Sequence, residues 1–340
     1  MQKTKPILVV GGYGAVGRYI VQHLHTLLPH SGIVIAGRSR DKAEAAARKF
    51  DSRVSAAQVD LTSQDSIATV FPTVSLVILN TEAGSENAAR ACIDHGISMI
   101  SVAASVPVMQ AIGNLDDMAK AANVALVTEV GLAPGLLNIL AREAVTRLPD
   151  TRHLDLVVQL GLIGEHGPEA MNWTIARANE VERAVILDPP FPDVGRRVIP
   201  VDFVDRDKMR KDLGVETVAS FLVILPRWTT TWVQRLAPYL VNRTGLLARL
   251  EPGLKALTKL TGMRENEMVL VVRARSGSKR ETLRITGENQ SRVTGIAAAR
   301  TAERLMTMPP DSRTGTIGMA DIVSLEDIMK DLERIGCSLA

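Results

Sequence analysis

Cysteine is nearly absent: Cys92 and Cys337 are the two in 340 residues, far apart and in no CxxC pair. That excludes a disulfide framework and a cysteine-based metal site, and leaves two buried thiols in a reducing compartment. Aromatic residues make up 3%, and no basic stripe with interleaved aromatics occurs. Net charge is +3, with both signs interspersed. Neither feature supports a nucleic-acid partner. No H-E-x-x-H or clustered Cys/His set suggests zinc, so no metal is expected. Long hydrophobic runs are missing too. The most apolar window, "VASFLVILP" from Val218 to Pro226, is too short to span a bilayer, and Met1–Pro6 carries no signal-peptide core. The expectation is a cytoplasmic protein with no membrane span. Internal repeats and low-complexity segments are also absent.

What is present is a globular balance of 46% apolar and 23% charged residues, in a chain long enough for two domains. Short β-branched runs at Ile7–Val10, Ile33–Ala36, Ala56–Val59, Leu76–Leu79, Ile97–Val102 and Val124–Val127 read as strands. Amphipathic segments between them read as helices, the first with Val16, Ile20, Val21, Leu24, Leu27 and Leu28 on one face. Such alternation means βαβ units and a parallel sheet. After about Leu148 strand-like runs dominate and the connections carry prolines, which points to a mixed or antiparallel sheet. The fold class expected is therefore α/β: a Rossmann, doubly wound parallel sheet with a second α+β substrate domain. The boundaries expected are 1–137 for the dinucleotide-binding domain and 138–290 for the substrate or dimerisation domain. Helices in 291–340 would return to the first domain.

The stretch "VVGGYGAVGRYI" places Gly11, Gly12, Gly14 and Gly17 between the first strand and the first helix. Gly12-Tyr13-Gly14-Ala15-Val16-Gly17 fits G-x-G-x-x-G, and its strand–turn–helix context is what makes that weak pattern credible. Gly12 would permit the tight turn, Gly14 would let backbone approach a pyrophosphate, and Gly17 would let helix and strand pack closely. The helix N-terminus supplies free N–H groups to the phosphates. At the tip of the second strand, "IVIAGRSRDK" carries Gly37-Arg38-Ser39-Arg40 and no carboxylate. An acidic residue there would bind the ribose 2′-hydroxyl of NAD. Arg38, with Ser39 and Arg40, suits a 2′-phosphate instead, so NADP is expected and NAD is the lesser candidate. Later strand ends place Asp60 and Leu61, then Asn80 and Thr81, near the same ligand. Asp60 either meets the adenine amino group or caps the next helix.

The proton donor is harder to read. Short-chain dehydrogenases use a Tyr with a Lys four residues on, yet Tyr13 and Tyr19 lie in the dinucleotide motif and Tyr239 is followed at that spacing by Arg243. "TEVGLAPGLLNILA" closes the sixth strand, with a turn shaped by Gly131, Pro134 and Gly135 and a helix from about Leu136. "GLIGEHGPEAMNW" holds His166 in a glycine-flexed loop, whereas His23, His25 and His30 belong to the first helix region and look solvated. His166 is the candidate general acid. Glu129, Pro134, Gly135 and Trp173 are candidates for substrate contact.

GGYGAVG, AGRSRDKA and GLAPGLLN, with GEHGPEAMNW and SRVTGIAAARTAERLM later in the chain, resemble the saccharopine dehydrogenase-like (saccharopine reductase) family. The resemblance implies a Rossmann domain, an inserted α/β substrate domain and a C-terminal segment returning to the first. It also implies NAD(P)-dependent oxidation of a secondary amine, or reduction of an imine, usually on amino-acid-like substrates. One departure stands out. Where the family often has a Tyr/Val-Asp pair followed by Gly-Glu after the fifth strand, this chain has "ISMISVAASV", with no acid. The expected function is hydride transfer to or from a C=N or C=O bond of a small molecule, by a homodimer. The alternative is a non-catalytic NADPH-binding sensor. Val218–Leu250, with Trp228 and Trp232, reads as an apolar pocket wall, a dimer face or plain core.

Overall fold

In the computed structural model, described for residues 5–161, 185–191, 195–201, 206–225, 267–309 and 313–340, the chain divides into two compact units. The first comprises Met1–Ile139 and Ser291–Ile328, the second Leu140–Gln290 and Met329–Ala340.

The first unit is built on seven strands in the order β13-β6-β5-β4-β1-β2-β3, every neighbouring pair parallel. They are β1 (Ile7–Val10), β2 (Ile33–Gly37), β3 (Val54–Gln58), β4 (Leu76–Leu79), β5 (Ser98–Ser101), β6 (Ala125–Thr128) and β13 (Gly315–Gly318). β1, β4 and β6 are buried at every residue, as a parallel sheet covered on both faces requires. On one face Leu8, Val10, Ala36, Val77, Leu79, Met99 and Leu126 share a core with Ile67, Ala88, Cys92 and Ile112. These last come from helices α3 (Gln64–Val70), α4 (Ser85–Asp94) and α5 (Val106–Gly113). Burial of the Cys92 thiol pushes its pKa far above the ordinary range, so it is an inert core residue.

Helix α1 (Gly17–Leu27) buries Ile20, Val21 and Leu24, the i, i+1, i+4 stripe of an amphipathic helix. A later helix, Gln290–Thr307, is set tightly against it: a Cβ on Gly295 would lie 2.5 Å from Tyr19 Cβ and 3.0 Å from the Ile20 backbone nitrogen. β13 then adds beside β6, tied by Thr316 N–H to Asp116 Oδ1 at 2.7 Å. The third strand begins two residues earlier than its β-branched pattern suggests. Val54 is already paired with Ile33, and Val59 beyond the strand end still donates to Gly37 O at 3.0 Å. His25, expected in solvent, sets its Nε2 3.0 Å from the Asp51 carboxylate and tilts against the Phe50 ring, because the Asp51–Arg53 turn folds back onto α1.

The second unit holds a mixed sheet, β14-β12-β11-β7-β10-β9-β8. The strands are β7 (His153–Gly161), β8 (Val185–Phe191), β9 (Gly195–Pro200), β10 (Thr217–Leu225), β11 (Glu267–Ser276), β12 (Lys279–Glu288) and β14 (Ser338–Leu339). Among the described strands of this sheet only β7 and β10 run parallel; the other pairs are antiparallel. Where the sequence suggested that all of 291–340 returns to the first unit, Met329–Ala340 clusters with the second. β14 pairs with β12 there, and a Cβ on Gly287 would collide with Cys337 Sγ. Among the described residues no helix is long and apolar enough to cross a membrane, and no group of three or more His, Cys, Asp or Glu could hold a metal ion.

Candidate functional site

Because all seven strands of the first sheet run parallel, every loop that follows a strand leaves from one edge. That edge gathers the sequence candidates of this unit, and it is where ligands of open α/β sheets bind.

The glycine loop is shaped by four distinct demands. Gly11, outside the hexapeptide motif, takes the left-handed turn with φ of +76°. Its carbonyl accepts from Gly14 N–H at 2.9 Å and from the Asn80 side-chain amide at 3.3 Å. The conformational freedom assigned to Gly12 thus belongs to Gly11. Gly12 is needed for space, since a Cβ would meet Val9 O at 2.9 Å and Ile35 Cγ2 at 3.2 Å. A Cβ on Gly17 would run into the Gly11 carbonyl oxygen, so close helix–strand approach excludes any side chain there. Gly14 differs: a Cβ would find only Gly11 O at 3.1 Å and Asn80 Nδ2 at 3.5 Å. Its bare face therefore suits a ligand more than protein packing, a cradle that a side chain would fill. Ala15 and Val16 are partly exposed and lead into the α1 N-terminus, which has no side-chain cap. Arg18 N–H already donates to Gly14 O at 3.1 Å, and Tyr19 and Ile20 N–H to Val16 O at 2.9 and 3.1 Å, so an anion would meet the loop amides that precede them.

Gly37 is the last residue of β2, and Tyr13 lies across it. Ser39 caps α2 (Arg40–Ala47), its hydroxyl accepting from Lys42 N–H at 3.4 Å. Its own N–H donates to the Tyr13 hydroxyl at 3.4 Å. Arg40 is turned along α2 to Glu44 at 2.9 Å, and that contact raises its pKa. Arg38 is exposed, and among the described residues no hydrogen bond or ion pair holds its guanidinium. Of the two arginines it is the one available to an incoming anion. Asp60 holds a turn: its Oδ1 accepts from Thr62 N–H at 2.9 Å and Thr62 Oγ1 at 2.7 Å. Those bonds lead the lowering of its pKa, and the positive charge of Arg38 adds to it. Leu61 places its side chain in the core, under the left-handed Gly84.

Asn80 and Thr81 follow β4. The Asn80 amide braces the glycine loop, while Thr81 O accepts from Ser85 Oγ at 3.0 Å. Glu82, which the sequence reading passed over, ties this loop to the next by accepting from Ser105 N–H at 3.1 Å. After β6, Glu129 is buried with φ of +57°, an uncommon conformation for a side-chain-bearing residue. Its Oε2 accepts from Asn138 Nδ2 at 3.3 Å, and Asn138 Oδ1 accepts from Gly135 N–H at 3.2 Å. Pro134 follows a cis peptide and is buried, as is Gly135 with φ of +125°. Glu129, Pro134, Gly135 and Asn138 thus form one braced turn leading into the helix Leu137–Arg147. Asn138 was missed because its role needs the turn to be closed. His166 and Trp173 lie outside the described residues, as do Trp228 and Trp232.

Residues 7–127 match the family of the saccharopine dehydrogenase NADP binding domain. The whole fold is similar to apo, histidine-tagged saccharopine dehydrogenase (L-Glu forming) from Saccharomyces cerevisiae. The TM-score is 0.66 at 14% identity, covering 99% of this chain and 100% of that one. DAP dehydrogenase from C. glutamicum, in complex with DAP, gives a TM-score of 0.51 at 12% identity, covering 99% and 100%. At these identities the likeness is one of fold. No curated protein sequence matches this chain.

Proposed function

We propose that this chain, whose residues 7–127 match the saccharopine dehydrogenase NADP binding domain, is a saccharopine dehydrogenase-like, NADP-dependent oxidoreductase. It acts on a C=N or secondary-amine bond, or on a C=O bond, of a small molecule. The observation that carries this reading is the edge formed by β1 and β2. Gly14 leaves a bare face above an uncapped helix N-terminus, and the β2 tip offers Arg38 and Ser39 where an NAD site would offer a carboxylate.

Bound there, the dinucleotide supplies hydride chemistry. The chain's own residues hold and orient. The Gly11–Gly17 turn at the start of α1 receives the pyrophosphate, and Arg38 and Ser39 receive the 2′-phosphate. Asn80 fixes the glycine loop in position through Gly11 O. Glu129, Pro134 and Gly135 belong to a turn whose buried hydrogen bonds keep its shape without solvent. That is what a substrate-side wall needs. His166 is the proposed proton donor, and Trp173 a proposed substrate contact. With His166→Asn, kcat should fall strongly while NADPH affinity holds.

Titration of NADPH and NADH by fluorescence tests the cofactor assignment. NADPH should bind at least about tenfold tighter, and Arg38→Ala should erase most of that preference, since a charge-assisted pair contributes roughly 1.5–3 kcal/mol. Equal affinities in the wild-type protein overturn it. Tight NADPH binding with no turnover of imines or carbonyls would instead favour a sensor. Light scattering tests the expected homodimer.

A further inference from the structure

The β2 tip carries a second feature besides Arg38. Tyr13, from the glycine loop, sets the hydroxyl end of its ring against Gly37. A Cβ placed on Gly37 would stand 2.5 Å from the Tyr13 hydroxyl oxygen, 2.7 Å from Cε1 and 2.8 Å from Cζ. These are distances that no side chain can occupy without moving the ring. The hydroxyl is held as well, because Ser39 N–H donates to it at 3.4 Å. Ser39 is itself fixed as the cap of α2. A glycine at the end of a strand commonly marks such a close approach.

We infer that Tyr13 is a specificity-determining residue for the 2′ position of the dinucleotide, acting in two ways at once. Its ring takes the volume that a carboxylate on residue 37 would need to reach a ribose 2′-hydroxyl. Its hydroxyl, whose lone pair accepts from Ser39, keeps its own proton free to donate to a 2′-phosphate oxygen beside Arg38. Preference for a phosphorylated ribose thus comes from shape as well as charge: the residue that excludes the acid also serves the phosphate. Gly37 and Tyr13 form a coupled pair, and changing one without the other cannot convert the site. This inference rests on the NADP reading above.

The test is a set of cofactor titrations on the full chain, with thermal melting as the folding control. Wild-type protein comes first: a preference for NADPH is the premise, and its absence overturns the NADP reading itself. Given that preference, Tyr13→Phe should weaken NADPH about fivefold or more and leave NADH unchanged. Gly37→Asp alone should weaken NADPH without gaining NADH, because the ring blocks the new carboxylate. Gly37→Asp combined with Tyr13→Ala should bind NADH at least about tenfold tighter than Gly37→Asp alone. A wild-type NADPH preference that Tyr13→Phe leaves untouched would overturn the role of the hydroxyl. Gly37→Asp matching the double variant for NADH would overturn the coupling. Should Gly37→Asp fail to fold, Tyr13→Phe still decides the first point.

Discussion

The two sheets use polar groups in opposite ways. In the first, β1, β4 and β6 are buried throughout, and polar and left-handed residues collect beyond the strand ends: Gly11, Asn80, Gly84, Glu129 and Gly135. In the second, polar residues lie inside the strands. Asp155 and Gln159 on β7 are buried, and Arg273 on β11 is buried directly opposite Asp155. Arg275 closes on Asp155 at 3.0 Å. Strand direction explains the contrast. Parallel strands send every outgoing loop to one edge, so chemistry can gather there while the sheet remains apolar. Antiparallel strands divide their turns between both ends, as at the Gly277 turn joining β11 and β12. Asp155 finds its partner within the sheet, whereas Gln159 Oε1 and Ser220 Oγ are buried with no hydrogen-bond partner among the described residues.

Substitution at Gly17 is the strongest challenge to this division, because there the edge depends on the sheet. Gly17→Val should cost about 3 kcal/mol or more, since the side chain meets backbone that cannot yield. Thermal denaturation reads it, and a wild-type melting temperature would break the picture of α1 seated on β1. Gly14→Val should separate edge from sheet. NADPH affinity should fall by ~100-fold, about 2.7 kcal/mol, with melting nearly unchanged. Retained affinity would mean that the loop is not the phosphate cradle. In the second sheet the reverse pattern is expected. Asp155→Ala leaves buried arginine nitrogens without their carboxylate and should cost about 1–3 kcal/mol in urea unfolding, with NADPH affinity intact. If stability held, the in-strand polar pairing would be incidental.

The smallest effect concerns acid. Hydrogen bonds from the Arg53 backbone and side chain hold the Asp51 carboxyl at about 2, below its ordinary 3.8. A depressed carboxylate stabilises the fold above its unfolded pKa, and that contribution is lost as pH falls from about 4 towards 2. Melting followed over that window should show a shallower acid loss for Asp51→Asn than for wild type. Asp51 is surface-exposed, so the difference will be small and weakened by salt; parallel curves would remove Asp51 from the acid response.

Much of the first unit was legible because its signals are local. β-branched runs bounded by turn residues set the strands, a 3.6-residue stripe set α1, and glycine spacing set the loop that joins them. The β2 tip was readable as lacking a carboxylate. Position within those signals was less secure. β3 begins at Val54 rather than Ala56 because its partner strand, not its own composition, decides where pairing starts. The bend in the glycine loop falls on Gly11 because Asn80, 69 residues later, clasps that carbonyl.

By itself the sequence determined the alternation, the parallel sheet and the glycine turn between β1 and α1, since each depends on residues within one or two turns of chain. Only the tertiary structure decided how those pieces meet. It laid Tyr13 over Gly37, bound Asp60 to Thr62, joined Glu129, Asn138 and Gly135 in one buried turn, and sent Ser338–Leu339 to β12. Such contacts join groups whose separation in sequence says nothing of their separation in space. Their energies depend on burial and close packing, which exist only once the sheets have formed.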